Sequence, residues 1–153
     1  MVRKETFERS LDILISAWER GELMHGNCTA CAVGNLCGGD SSWEIAFYTA
    51  WCDDRMQYKM WHNLTERGES ILQDAIKQTG YSVEELARIE FAFESSLGDN
   101  YLQLCDTEEG QYIGLCAVID VLTDIHQVEA REPRKRLDSV AVGKGLEVQT
   151  TQL

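Results

Sequence analysis

The residue types best suited to chemistry lie together between His25 and Cys37, in the run HGNCTACAVGNLC, which holds a histidine and three of the chain's six cysteines. Cys28 and Cys31 form a C-x2-C pair, His25 lies three residues before it, and Cys37 follows Cys31 by six residues. Two thiolates and an imidazole can bind Zn2+ tetrahedrally, and C-x2-C spacing lets both sulfurs reach one ion. His25, Cys28, Cys31 and Cys37 are therefore the candidate metal ligands. A second C-x2-C or an H-x3-H is missing, so the fourth ligand is either Cys37 or a distant group such as Cys52, His62, Cys105, Cys116 or His126.

Two other chemistries fit the same residues. Ala30, Ala32, Val33 and Leu36 make the run apolar, and free cysteine is among the most buried residue types. On that reading Cys28 and Cys31 point inward from a short helix and simply fill space. A thiol oxidoreductase would instead use Cys28-x2-Cys31 as a redox pair, since a helix start favours the thiolate. The thioredoxin-type setting requires a preceding strand within a βαβ pattern, and the sequence has neither.

Carboxylates supply a second set of candidates. Glu90 with Glu94, and Asp120 with Asp124, are spaced i,i+4, which sets both acids on one helix face. Helical Mg2+-dependent phosphohydrolases use such pairs beside a phosphate. The plainer account is a solvated face on an acidic protein. Asp120 interrupts an apolar run and, if buried, needs an arginine, a tryptophan N–H or a cation. His126 reads as a dipole-satisfying group in a last helical turn. No Gly-rich phosphate loop, G-x-S-x-G elbow or H-E-x-x-H occurs in the chain.

The elements that must position these residues are helical. The 153 residues fit one domain, and 44% hydrophobic with 26% charged residues is the composition of a folded protein. Apolar residues recur three and four apart over 3–24, a capping box at Ser82-x-x-Glu85 opens a helix running towards Gly98, and another box at Ser41-x-x-Glu44 opens an aromatic-rich one. A helix over 65–79 closes at Gly80. The expectation is an all-α bundle of five or six helices over residues 1–128, centred on a nearly all-apolar helix from about Asp106 to Val128. Residues 129–153 hold the single proline, Pro133, and a basic run at Arg134-Lys135-Arg136. They read as a loosely attached polar and basic tail, extended or partly disordered, or as a weak strand pair built from VAV and LEV around Gly143 and Gly145.

The net charge is −12, and residues 1–128 carry 22 Asp+Glu against 9 Lys+Arg. Such a field opposes binding of nucleic acid or an anionic membrane by the main domain and favours a basic protein partner. Glu5, Glu8, Arg9 and Asp12 interrupt the first apolar segment, which is therefore expected to be neither a signal peptide nor a membrane span. A cytoplasmic setting with reduced thiols follows as an expectation, and the Asn63-Leu64-Thr65 sequon then carries no sugar. The functional expectation is a non-enzymatic interaction or structural module, with zinc at the Cys/His cluster as its one cofactor option. The enzymatic alternatives are the phosphohydrolase and the oxidoreductase.

Overall fold

The computed structural model describes residues 2–27, 30–38 and 77–148, and every regular element among them is helical. Helix α1 spans Val2–Glu19. Its stripe of Phe7, Leu11, Leu14, Ile15 and Trp18 is buried throughout, as the three-and-four spacing requires. The helix stops earlier than the apolar pattern suggests because Gly21 adopts φ 72°, a left-handed turn that glycine enters without a Cβ clash. Helix α2, Ala32–Leu36, is a short turn whose N-cap is Cys31, and Gly38 at φ 78° closes it.

Residues 77–79 end a helical segment at Gly80, φ 80°. The capping box expected at Ser82 is formed: its hydroxyl accepts the Glu85 N–H at 3.1 Å, and the Glu85 carboxylate accepts the Ser82 N–H at 3.0 Å. It opens α3, Val83–Ser95. A 3-10 turn at Gly98–Asn100 and the short helix α4, Tyr101–Leu104, lead to Thr107. The Thr107 hydroxyl accepts the Gly110 N–H at 2.9 Å and so starts α5, Glu108–His126, one residue later than an Asp106 cap would.

Helix α5 is the centre of the bundle, as its apolar circumference predicts. It packs most extensively on α3 and also on α1, α4 and the last helix, and Tyr112, Leu115, Val118, Ile119 and Leu122 are buried on it. The close approach to α3 depends on Gly114, where a Cβ would meet the Phe93 ring.

The segment read as extended or as a strand pair is helical instead: α6 spans Arg131–Gly143 and includes the whole VAV triplet. Two physical facts explain the difference. Pro133 occupies the first helical turn, where the missing N–H has no intrahelical partner to lose. Pro133, Leu137 and Ala141, spaced by four, form a buried stripe, so the short V-A-V alternation is incidental to a 3.6-residue period. Helix α6 packs on α5 and α1 through that stripe.

The box at Ser41-x-x-Glu44, the aromatic segment after it, and most of the helix expected over 65–79 lie outside the described residues. Among the described residues no helix is long and apolar enough to cross a membrane.

Candidate functional site

The loop between α1 and α2 carries the first of the sequence candidates, and it is pinned to one face of α3. Glu90, Phe93 and Glu94 stand at i, i+3 and i+4 on that helix, so one stripe presents two carboxylates and a ring to the loop. The Cys31 thiol donates to Glu90 Oε2 at 2.7 Å while its sulfur accepts the Gly34 N–H at 3.3 Å. Both partners are interior, Cys31 at 1% exposure and Glu90 at 6%. A thiolate and a carboxylate so close would repel by about 6 kcal/mol at an effective dielectric of about 20, so the separation requires a shared proton, or a cation, between them.

His25 sits beside this pair in the chain and is itself 5% exposed. Its ring stacks on Phe93, with centroids 4.0 Å apart and planes 7° from parallel, and the Tyr101 ring meets it edge-on at 6.0 Å. Nε2 lies 3.0 Å from the Phe93 carbonyl. A carbonyl only accepts, so Nε2 carries a proton, and in the neutral imidazole Nδ1 is the lone pair. That Nδ1 is buried and has no hydrogen-bond partner among the described residues. Gly26 donates its N–H to both Glu94 oxygens at 3.0 Å, and the Tyr101 hydroxyl donates to the same carboxylate at 3.4 Å. Burial, with Glu94 adding to it, pushes the Tyr101 hydroxyl up to about 12. Gly26 is at φ 71°, and a Cβ there would stand 2.7 Å from the Tyr101 hydroxyl, so the glycine sets how tightly the loop closes.

Of the four ligand candidates, the structure seats His25 and Cys31 against α3, places Cys37 in the buried core at the end of α2, and leaves Cys28 outside the described residues. Among the described residues no three His, Cys, Asp or Glu groups converge as a metal site. The distant candidates divide similarly: Cys105 and Cys116 are half-buried free thiols, His126 lies at the end of α5, and Cys52 and His62 are outside the described residues. Burial raises the Cys116 thiol above its ordinary value.

Sequence reasoning treated Glu90 and Glu94 as a possible ion-binding pair and missed that they anchor the cysteine loop. A signal was present. Leu86, Ile89 and Phe93 define a buried stripe, and Glu90 falls at i+4 from Leu86, where that stripe calls for an apolar residue. The other pair, Asp120 and Asp124, faces arginines: Arg134 is 3.5 Å from Asp120 and Arg88 is 2.8 Å from Asp124. The Asp120 side chain is 65% exposed, so the helix turns it out of the apolar run rather than burying it.

A second polar constellation joins α1 to the end of α5. Ser10 donates to the Thr6 carbonyl at 2.7 Å and lies 2.8 Å from the Tyr81 hydroxyl, which lies 2.9 Å from His126 Nε2. Because Ser10 spends its proton on a carbonyl, Tyr81 donates to Ser10, and His126 Nε2–H donates to Tyr81. His126 Nδ1 is then a buried lone pair without a partner among the described residues. Burial holds the His126 imidazolium below its ordinary range, with Arg3 adding to the effect, and burial raises the Tyr81 hydroxyl.

Set against protein-family models, curated proteins and solved structures, the chain matches none of them.

Proposed function

We propose that the protein is a non-enzymatic interaction module: a helical bundle whose acidic surface engages a basic protein partner, with the His25–Cys37 loop as an internal structural brace. The observation that carries this reading is the occupation of the loop's polar groups. Cys31 both caps α2 and bonds Glu90, Gly26 holds Glu94, and His25 holds the Phe93 carbonyl. A nucleophilic or redox thiol has to meet its substrate, and at 1% exposure Cys31 suits a brace better than an attacking group. The chain's charge of −12 supports the choice of partner.

The test is binding to poly-L-lysine, followed by fluorescence anisotropy as ionic strength rises from about 0.01 M to about 0.15 M, where the screening length falls from about 30 Å to about 8 Å. Affinity should drop steeply. Absent binding, or binding indifferent to salt, would refute the reading.

A specific observation favours zinc as a further component of the brace. Metal-ligating histidines characteristically donate their other ring N–H to a carbonyl or carboxylate, which fixes the tautomer. His25 has that arrangement, with Nε2–H on Phe93 and a buried Nδ1 that has no partner among the described residues. The ligand set would need Cys28, which lies outside the described residues, and a rearrangement of Cys31 and Cys37, because His25, Cys31 and Cys37 do not converge as they stand. Native mass spectrometry reads this directly: a stoichiometric zinc ion, lost on chelation with release of alkylatable thiols, supports it, and a metal-free chain with unchanged stability ends it.

A further inference from the structure

A cleft of about 560 Å3 runs between α1 and the start of α6, closed at one end by the turn that joins α5 to α6. Its volume lies within the range of sites that enclose a ligand group. Phe7, Leu11, Pro133 and Val128 line it with apolar surface, and Val128 is an exposed apolar residue with no role in the core.

The charges around the cleft differ in how they are used. Arg3 is committed to Glu85 at 2.8 Å, and Arg136 to Asp12 at 2.7 Å. Glu132 is paired with Lys135 at 3.7 Å. Glu8 on α1 and Glu129 on the closing turn both line the cleft, and neither has an ion-pair partner among the described residues. Lys4 is the single lining cation in the same position. The uncommitted charge is thus two carboxylates against one ammonium, over an apolar floor, in a molecule that is already strongly acidic.

We infer that this cleft is where the basic partner docks, and that it takes an apolar side chain flanked by lysines or arginines on a protein segment. The apolar group would lie on Phe7, Leu11 and Pro133, and the flanking cations would meet Glu8 on α1 and Glu129 on the closing turn. This rests on the basic-partner reading and adds to it the place and the pattern recognised.

The probe is a labelled peptide, KKLLKK, with EELLEE as its charge-reversed counterpart, and binding is read by anisotropy on the intact chain. The double substitution Glu8→Gln with Glu129→Gln should weaken KKLLKK by about tenfold, the scale of two exposed charge contacts taken together. Glu84→Gln with Asp99→Asn removes the same charge from surface positions away from the cleft and should change affinity by less than about twofold. Val128→Trp, at an exposed position, should fill the cleft and abolish binding while leaving the circular dichroism spectrum intact. Equal losses in the two double variants, or equal binding of EELLEE, would overturn the cleft assignment and leave the basic-partner reading standing on poly-L-lysine binding. Failure of the wild-type chain to bind either KKLLKK or poly-L-lysine would overturn both.

Discussion

Replacing Gly114 by alanine tests the geometry of the loop site with an unusually clear sign. In an open helix interior glycine is disfavoured by about 1 kcal/mol relative to alanine, so the substitution would ordinarily stabilise. At Gly114 the added Cβ would stand 2.6 and 2.7 Å from two carbons of the Phe93 ring and 3.0 Å from His25 Nε2. Ordinary contact begins near 3.4 Å, so the ring must retreat by about 0.8 Å, and the stacked His25 ring, whose centroid is 4.0 Å away, limits that retreat. Overpacking of this kind costs about 1–3 kcal/mol. Set against the propensity gain, the expected net change is a loss of about 1 kcal/mol, or roughly 2–4 °C in Tm for a chain of this size. Urea unfolding followed by circular dichroism measures it. Gly143→Ala, at the last residue of α6, is the uncrowded control: a Cβ there meets nothing within 4 Å among the described residues, so this variant should gain up to about 1 kcal/mol. Stabilisation of Gly114→Ala by as much as the control would refute the packing of α5 against Phe93 and His25.

Cys31→Ala should destabilise by about 2 kcal/mol because it removes both the α2 cap and the donor to Glu90, whereas Cys31→Ser keeps a cap and a donor and should cost less; equal losses in chemical denaturation would count against the hydrogen-bond account and for a metal. His126 has a folded-state pKa below its unfolded value, so its contribution is fully present above the ordinary histidine range near 6.5 and is lost as pH falls below it. The slope of Tm between about pH 7 and pH 5 should therefore flatten in His126→Asn, and an unchanged slope would remove His126 from the acid response. Gln127 caps α5 at φ 54°, a left-handed conformation costing a non-glycine residue about 1 kcal/mol, so Gln127→Gly should raise Tm unless its side-chain bond to the Asp124 carbonyl outweighs the strain; a lower Tm would show that it does.

Local rules carried the fold a long way. The Ser82 capping box and the apolar circumference of α5 are short-range features, and both were legible because the interactions that enforce them lie within one or two turns of the chain. Helix α6 was misread because its proline, its basic run and the VAV and LEV triplets suggested an extended tail or a strand pair, whereas a proline in the first helical turn costs nothing. The candidate site was half legible. Spacing singled out His25 and Cys31, but their partners Phe93 and Glu90 are 68 and 59 residues away, and no periodicity within a segment encodes a pairing at that distance. The tautomers of His25 and His126 were likewise beyond sequence, since each follows from which atom happens to face a carbonyl or a hydroxyl.

The distant partners of α1 have a consequence for how the chain reaches this structure. Ser10 bonds Tyr81 across 71 positions and Arg3 bonds Glu85 across 82, while Trp18 rests against Tyr112 on the central helix. A growing polypeptide lengthens by about 5–20 residues per second, so roughly 5–20 s separate synthesis of the first helix from synthesis of the surface that covers it. Over that interval α2 is the one described element made early enough to pack on α1, so part of the Phe7, Leu11, Leu14, Ile15 and Trp18 stripe stands ready to associate with whatever is nearby. High sequence separation also slows folding relative to helical proteins built from neighbouring pairs. The bundle should therefore be completed late, with α1 docking onto an α3–α5 unit that forms from nearby segments, and the nascent chain should depend on dilution or a holding chaperone until the central helix has emerged.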